Sequence, residues 1–148
     1  MNPELLKYLV FGFGLGTALF SATFADDLMN PNFYRKCLTA GIISFALGLT
    51  FELTNFFNVS NGMTLLIMSA ALLHLIPFEL FRRLFKHYTG TNPYITSASS
   101  STGGTPIGGF WHKYPRNRKI QSSDFAFSFL QALVPIFTFM LLVFLIKN

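Results

Sequence analysis

Four long apolar runs constrain what this chain can fold into. They cover residues 5–24, 38–57, 63–81 and 125–146. Each is close to the roughly 20 helical residues that cross a hydrocarbon core of about 30 Å. Helices are the expected form, because lipid offers no partner for the backbone groups of an isolated strand. The sequence therefore predicts an all-α integral membrane protein, a single domain over 1–148 that forms a bundle of four transmembrane helices.

The composition agrees with lipid as the solvent. Only 11% of the 148 residues are charged, whereas a soluble domain usually carries about 25%. The net charge is +5, but the cations lie at the ends of apolar runs, where Lys and Arg orient helices and meet anionic headgroups. Nucleic-acid binding would need a basic surface free of the bilayer. We therefore expect anionic membrane lipids and other membrane protein subunits as partners, and no nucleic acid.

One long polar interval, 82–124, separates the third apolar run from the fourth and is predicted to be a loop. Its first residues are expected to continue the third helix past the membrane. Residues 89–109 are rich in Ser, Thr and Gly and show neither a helical nor a strand period. Contacts to lipid headgroups or to partners are expected from Arg82, Arg83, Lys86, Trp111, Lys113, Arg116, Arg118 and Lys119.

The positive charges also predict an orientation. With four spans, both termini share one side of the membrane and the first and third loops share the other. Nine Lys and Arg residues fall on the side of these loops and two on the opposite side. The positive-inside rule then places loop 82–124 on the cytoplasmic side of a bacterial inner membrane, or on the matrix side of a mitochondrial inner membrane, with both termini outside. An alternative treats residues 1–25 as a cleaved signal peptide.

Small residues predict where helices approach closely. Gly12 and Gly16 are four residues apart in the first run, and Ser44 and Gly48 have the same spacing in the second. This spacing places both small residues of a pair on one helix face, where another helix can pack. One interpretation is packing inside the bundle, with the two pairs as matching surfaces. The other is assembly with a further subunit.

Two polar residues within the apolar runs form a candidate intramembrane site. His74 is near the middle of the third run, and a membrane-buried polar group is a functional candidate by default. A lone histidine can equally serve as a hydrogen-bond partner for a neighbouring helix. Glu52 lies about one turn from the end of the second run, and a proton or ion path would need Glu52 and His74 to face each other. The spacing around His74 predicts no metal site.

Local motifs predict a few contacts. Asn61 can cap the third helix. Glu79 precedes Arg82 and Arg83 by three and four residues, which is the spacing of ion pairs along one helix face. Gln131 offers a polar contact in the fourth run, which we interpret as a packing feature.

A lipid-headgroup enzyme would use acids for a metal ion and histidines for proton transfer. Asp26, Asp27, His87 and His112 are of these types and fall on the same side of the membrane. Their spacing matches no catalytic motif, so we predict no catalytic, cofactor-binding or metal-binding residue.

The leading hypothesis is a non-enzymatic structural or accessory subunit of a larger membrane protein complex. Its loop 82–124 would contact partners or anionic lipid. One alternative is a small homo-oligomeric channel or transporter that uses His74 and Glu52. The other is a lipid-headgroup-modifying membrane enzyme.

Overall fold

The computed structural model of the chain describes residues 3–57, 59, 61–96, 109–110 and 119–147. Its helices are α1 (Pro3–Thr23), α2 (Pro31–Leu53), α3 (Met63–Thr89) and α4 (Ser122–Lys147), with a short 3-10 helix, Asp27–Met29, between α1 and α2. All four α-helices are long and apolar enough to cross a membrane. The prediction of an all-α fold with four helices able to span a membrane is therefore confirmed.

The bundle is arranged around α3, which packs against each of the other three helices. Buried side chains recur along α3 at helical spacing, and Met68, Leu75 and Phe78 are fully enclosed. By contrast, α1, α2 and α4 expose many large apolar side chains. In a membrane protein such faces are solvated by lipid tails, so this exposure is expected of the outer helices. The core of the domain is thus the surface of α3.

Small residues let α1 and α2 approach α3 closely. Ser44 and Gly48 of α2 are buried against α3, and a Cβ atom added at Gly48 would collide with the Cβ atom of Met68. Gly14 of α1 contacts the same methionine from the other side, where an added Cβ atom would lie 2.8 Å from Met68 Sδ. Met68 is therefore the point at which three helices meet.

The helix ends differ from the limits of the apolar runs. The second helix begins at Pro31, because the Asn30 side chain accepts a hydrogen bond from the Asn32 N–H over 3.0 Å and caps it there. The expected start near residue 38 is thus wrong, since the polar first turns also belong to the helix. The third helix runs to Thr89, as expected for a helix that continues past the membrane, and ends at Gly90 with φ 72°.

The loop between α3 and α4 packs onto the bundle where it leaves α3. Residues 93–96 are all buried. Asp124 at the start of α4 accepts hydrogen bonds from the backbone N–H groups of Tyr94, over 2.9 Å, and Gln121, over 2.8 Å. Ser128, one turn further along α4, accepts from the Thr96 N–H over 2.9 Å. The described start of the loop is therefore irregular, as predicted, but held in place by α4.

Candidate functional site

Three buried polar side chains meet between α1, α3 and α4. His74 Nδ1 lies 3.1 Å from Ser21 Oγ, and His74 Nε2 lies 3.2 Å from Gln131 Oε1. The Ser21 hydroxyl is also 2.9 Å from the carbonyl oxygen of Ala18, one turn earlier in α1. All three residues are buried. This polar cluster, Ser21, His74 and Gln131, joins three of the four helices.

The polar cluster lies deep in the bundle. Arg82 follows His74 by eight residues along α3, which corresponds to about 12 Å at a rise of about 1.5 Å per residue. Polar groups at such a depth need hydrogen-bond partners, because lipid supplies none. The sequence marks His74 and Gln131 as polar residues within apolar runs, but it indicates neither their pairing nor the contact with Ser21. The pairing depends on how each helix is rotated about its axis, which hydropathy does not encode.

A groove between α1 and α4 lies beside the polar cluster. It encloses about 390 Å³, and His74 and Gln131 form part of its lining. The rest of the lining is apolar and includes small residues on three helices: Ala18, Ala22, Ala70 and Ala132. We call this feature the α1–α4 groove. Its lining thus combines apolar walls with two polar side chains.

Glu52 has a role of its own, away from His74. Its carboxylate accepts hydrogen bonds from the backbone N–H groups of Gly62 and, over 3.2 Å, of Leu65. These are free N–H groups at the start of α3, where a negative charge also meets the positive end of the helix dipole. The expected cap by Asn61 is wrong, because the helix starts after Gly62, which is the N-cap residue. Leu65 precedes His74 by nine residues, about 14 Å along the axis, so the structure does not bring Glu52 and His74 together.

Gly12 and Gly16 point out of the bundle. Both are exposed, and no described atom lies within 4 Å of a Cβ atom added at either position. They line a second groove, of about 690 Å³, between α1 and α2. We call it the α1–α2 groove. The structure does not bring this pair onto Ser44 and Gly48, since the α2 pair packs on α3.

The basic residues at the end of α3 and before α4 differ in ion pairing and in exposure. Glu79 accepts two hydrogen bonds of 2.8 Å from Arg82 and one of 2.7 Å from Arg83, so the ion pairs predicted from the spacing are confirmed. Arg82 is partly enclosed by this pairing, whereas the Arg83 side chain remains 76% exposed. Lys86 and Lys119 are also exposed. The other predicted contact residues, Trp111, Lys113, Arg116 and Arg118, lie outside the described residues.

The paired acids after α1 contact the loop between α3 and α4. Both Asp26 and Asp27 are buried, and Asp27 Oδ2 accepts a hydrogen bond of 3.0 Å from the Phe110 N–H. A Cβ atom added at Gly109 would collide with the carboxylates of both acids. Within the described residues, no three His, Cys, Asp or Glu side chains are grouped to hold a metal ion.

Polar side chains in the described part of the chain thus join its segments to one another. The polar cluster joins α1, α3 and α4; Glu52 joins α2 to α3; and Asp124 joins the loop to α4. Comparisons with protein-family models, with curated proteins and with solved structures give no match for this chain.

Proposed function

We propose that this protein is a non-enzymatic structural subunit of a larger membrane protein complex, and that a helix of another subunit packs into the α1–α2 groove. The observation that carries the proposal is the outward orientation of Gly12 and Gly16. Gly14 and Gly48 make close helix contacts inside the chain, because both pack against Met68. Gly12 and Gly16 have the spacing for close helix approach but meet no described atom.

The shape of the α1–α2 groove suits a helix. In lipid, helix association is driven by van der Waals packing and by interhelical hydrogen bonds. A partner helix along Gly12 and Gly16 would gain both, since Thr17 and Asn32 also line the groove. Lys36 lies in the same lining. A carboxylate, or the carbonyl end of the partner helix, would complement that charge.

The basic side of the molecule would be the cytoplasmic or matrix side of an inner membrane. The excess of Lys and Arg in the first and third loops supports this orientation. The exposed side chains of Arg83, Lys86 and Lys119 are then available to anionic headgroups or to acidic surfaces of partner subunits. The loop would add contacts on this side to those made by the helix in the groove.

The two alternatives draw less support from the geometry. A channel that uses His74 and Glu52 would need both in one path, but Glu52 caps α3 about 14 Å from His74. A lipid-headgroup enzyme would need accessible acids, whereas Asp26 and Asp27 are buried beneath Gly109 and Phe110.

The experiment is a comparison of assembly by wild type and a double variant, Gly12→Leu with Gly16→Leu. Wild type, solubilised in mild detergent, should run above monomer size in native electrophoresis, with other membrane proteins identified in the same band. The double variant should run at monomer size, because leucine side chains fill the groove. Ala46→Leu is the matched control, since Ala46 is exposed on α2 but does not line this groove.

Three results would contradict the proposal. If wild-type protein runs only at monomer size, it does not belong to a stable complex. If the complex still forms with the double variant, the α1–α2 groove is not its contact surface. A band that contains this chain alone, as a discrete oligomer, would favour the channel.

A further inference from the structure

Only one end of the Gln131 side-chain amide has a hydrogen-bond partner among the described residues. One end of it lies 3.2 Å from His74 Nε2. Within the described residues the other end has no hydrogen-bond partner, although Gln131 as a whole is only 8% exposed. Gln131 lines the α1–α4 groove. The free end of its amide is not fully enclosed by protein, so it is accessible from this groove. An unpaired amide facing hydrocarbon is unfavourable, so a polar ligand atom would be stabilised here.

The hydrogen-bond pattern defines what the free end offers. The single proton of the Ser21 hydroxyl goes either to the Ala18 carbonyl or to His74 Nδ1. If it goes to His74, then His74 Nε2 carries its own proton, the Gln131 carbonyl accepts it, and the amide N–H₂ is free. If it goes to Ala18, neutral His74 is protonated on Nδ1, and the amide must turn so that its N–H₂ donates to Nε2. The Gln131 carbonyl is then free.

A hydroxyl group fits both arrangements, because it donates and accepts hydrogen bonds. A carbonyl group fits only the first. The depth of the site restricts the ligand further, since Gln131 lies nine residues into α4, about 14 Å from its first residue. A charged headgroup is strongly disfavoured at that depth. The ligand should therefore be neutral.

The walls of the groove fit the remainder of such a molecule. Along α4 the lining extends from Gln131 to Met140, about 14 Å. It is apolar on both sides, with Leu15 and Leu19 on α1 and Ile136 on α4. Alanines at positions 18, 22 and 132 leave the space open beside the polar cluster. An elongated apolar body would lie between α1 and α4 with its polar end at Gln131.

We propose that the α1–α4 groove binds a neutral lipid alcohol, whose hydroxyl group hydrogen-bonds to Gln131 and whose apolar body lies between α1 and α4. This site is separate from the α1–α2 groove, so it does not depend on assembly with another subunit. The chain would then carry a bound lipid on one face and a partner helix on another.

The test uses decanol as the probe and the side-chain amides of glutamine as the reporters. The chain contains two glutamines, Gln121 and Gln131. In lipid nanodiscs of phosphatidylcholine, isotope labelling of the glutamine side-chain nitrogen gives separate nuclear magnetic resonance signals for the two amides. Decanol should shift the Gln131 signals to a saturating limit. The Gln121 signals should stay in place, because Gln121 is exposed and does not line the groove.

Decane is the matched ligand control, and two alanine variants are the protein controls. Decane has the same chain without the hydroxyl group. It should therefore bind about two- to tenfold more weakly, the range expected for one neutral hydrogen bond. Ala132→Phe should weaken decanol binding more than tenfold, because its ring fills the groove beside Gln131. Ala126→Phe, at an exposed position of α4 outside the groove, should leave it unchanged.

Three outcomes would overturn the proposal. The first is a Gln131 signal that does not respond to decanol, or that changes linearly together with Gln121, as for partition into the bilayer. The second is an equal response to decane. The third is photochemical crosslinking from position 132 to a protein chain, which would show that a helix occupies the groove. The comparison of decanol with decane needs no variant, so it decides the matter even if Ala132→Phe fails to fold.

Discussion

The hydroxyl group of Ser44 donates to the backbone carbonyl of Met68 over 2.7 Å. Both residues are fully buried, so this bond joins α2 to α3 in the centre of their contact. Gly48, one turn further along α2, packs against the Met68 side chain. Hydrogen bonds between membrane helices contribute only about 0.6 kcal/mol on average. We infer that close packing at Gly48 contributes more to this contact than the hydrogen bond does.

Gly48→Ala should therefore destabilise the bundle by about 1–3 kcal/mol, the usual cost of overpacking a filled core. The added Cβ atom would collide with Met68, and α2 would have to move away from α3. Unfolding in mixed micelles by a denaturing detergent measures the change. Gly12→Ala is the matched control, because its Cβ atom meets no described atom. Equal stability of the two variants would contradict the packing described for α2 and α3.

A second prediction concerns the cap that Glu52 provides for α3. Glu52→Ala leaves the Gly62 and Leu65 N–H groups without their acceptors, and loss of a helix cap costs about 0.5–2 kcal/mol. Glu52→Gln keeps one acceptor oxygen and should lose less. Thermal unfolding in detergent measures both, and Glu4→Ala, an exposed acid on α1, should be close to neutral. Stability should decrease from wild type to Glu52→Gln and again to Glu52→Ala. A Glu52→Ala variant as stable as wild type would rule out the capping role.

Asp124 is predicted to hold the start of the loop on α4. Asp124→Ala removes the acceptor of the Tyr94 N–H, so this buried amide should exchange its hydrogen with solvent faster than in wild type. The loss in stability should be about 1–3 kcal/mol, since buried N–H groups are left unsatisfied. Hydrogen exchange followed by mass spectrometry of peptides over 91–96 measures the effect. Ser123→Ala, at the preceding residue, should leave exchange at Tyr94 unchanged, and equal exchange in both variants would contradict the prediction.

Hydropathy predicted the helices of this protein but not their arrangement. The four apolar runs give the number of spans and their approximate positions, because the hydrocarbon thickness fixes the length of each. Apolar character alone does not mark the third run as the central helix, since all four runs are apolar and lipid solvates the outer faces of the others. The central position of α3 follows from side-chain fit at residues such as Met68, and one sequence does not reveal that fit.

The candidate sites show the same limit. His74 was visible in the sequence as a polar residue in an apolar run, but its partners on α1 and α4 depend on helix rotation. Glu52 was visible for the same reason, and its role as a cap depends on the turn that follows α2. The loop near Tyr94 has the composition of exposed chain, yet it is buried by bonds to Asp124. Long-range contacts of single polar atoms leave no periodic pattern in a sequence.

The last prediction concerns orientation. With Cys37, the single cysteine, replaced by Ala, Asn61→Cys and Lys119→Cys each carry one exposed thiol. Four spans would place these two thiols on opposite sides of the membrane. A membrane-impermeant maleimide added to intact cells should label Asn61→Cys and not Lys119→Cys, because the side with more Lys and Arg stays inside. Lys119→Cys should react once the membrane is permeabilised, which controls for access to the thiol. Labelling of Lys119→Cys in intact cells would reverse the orientation and place the basic residues outside.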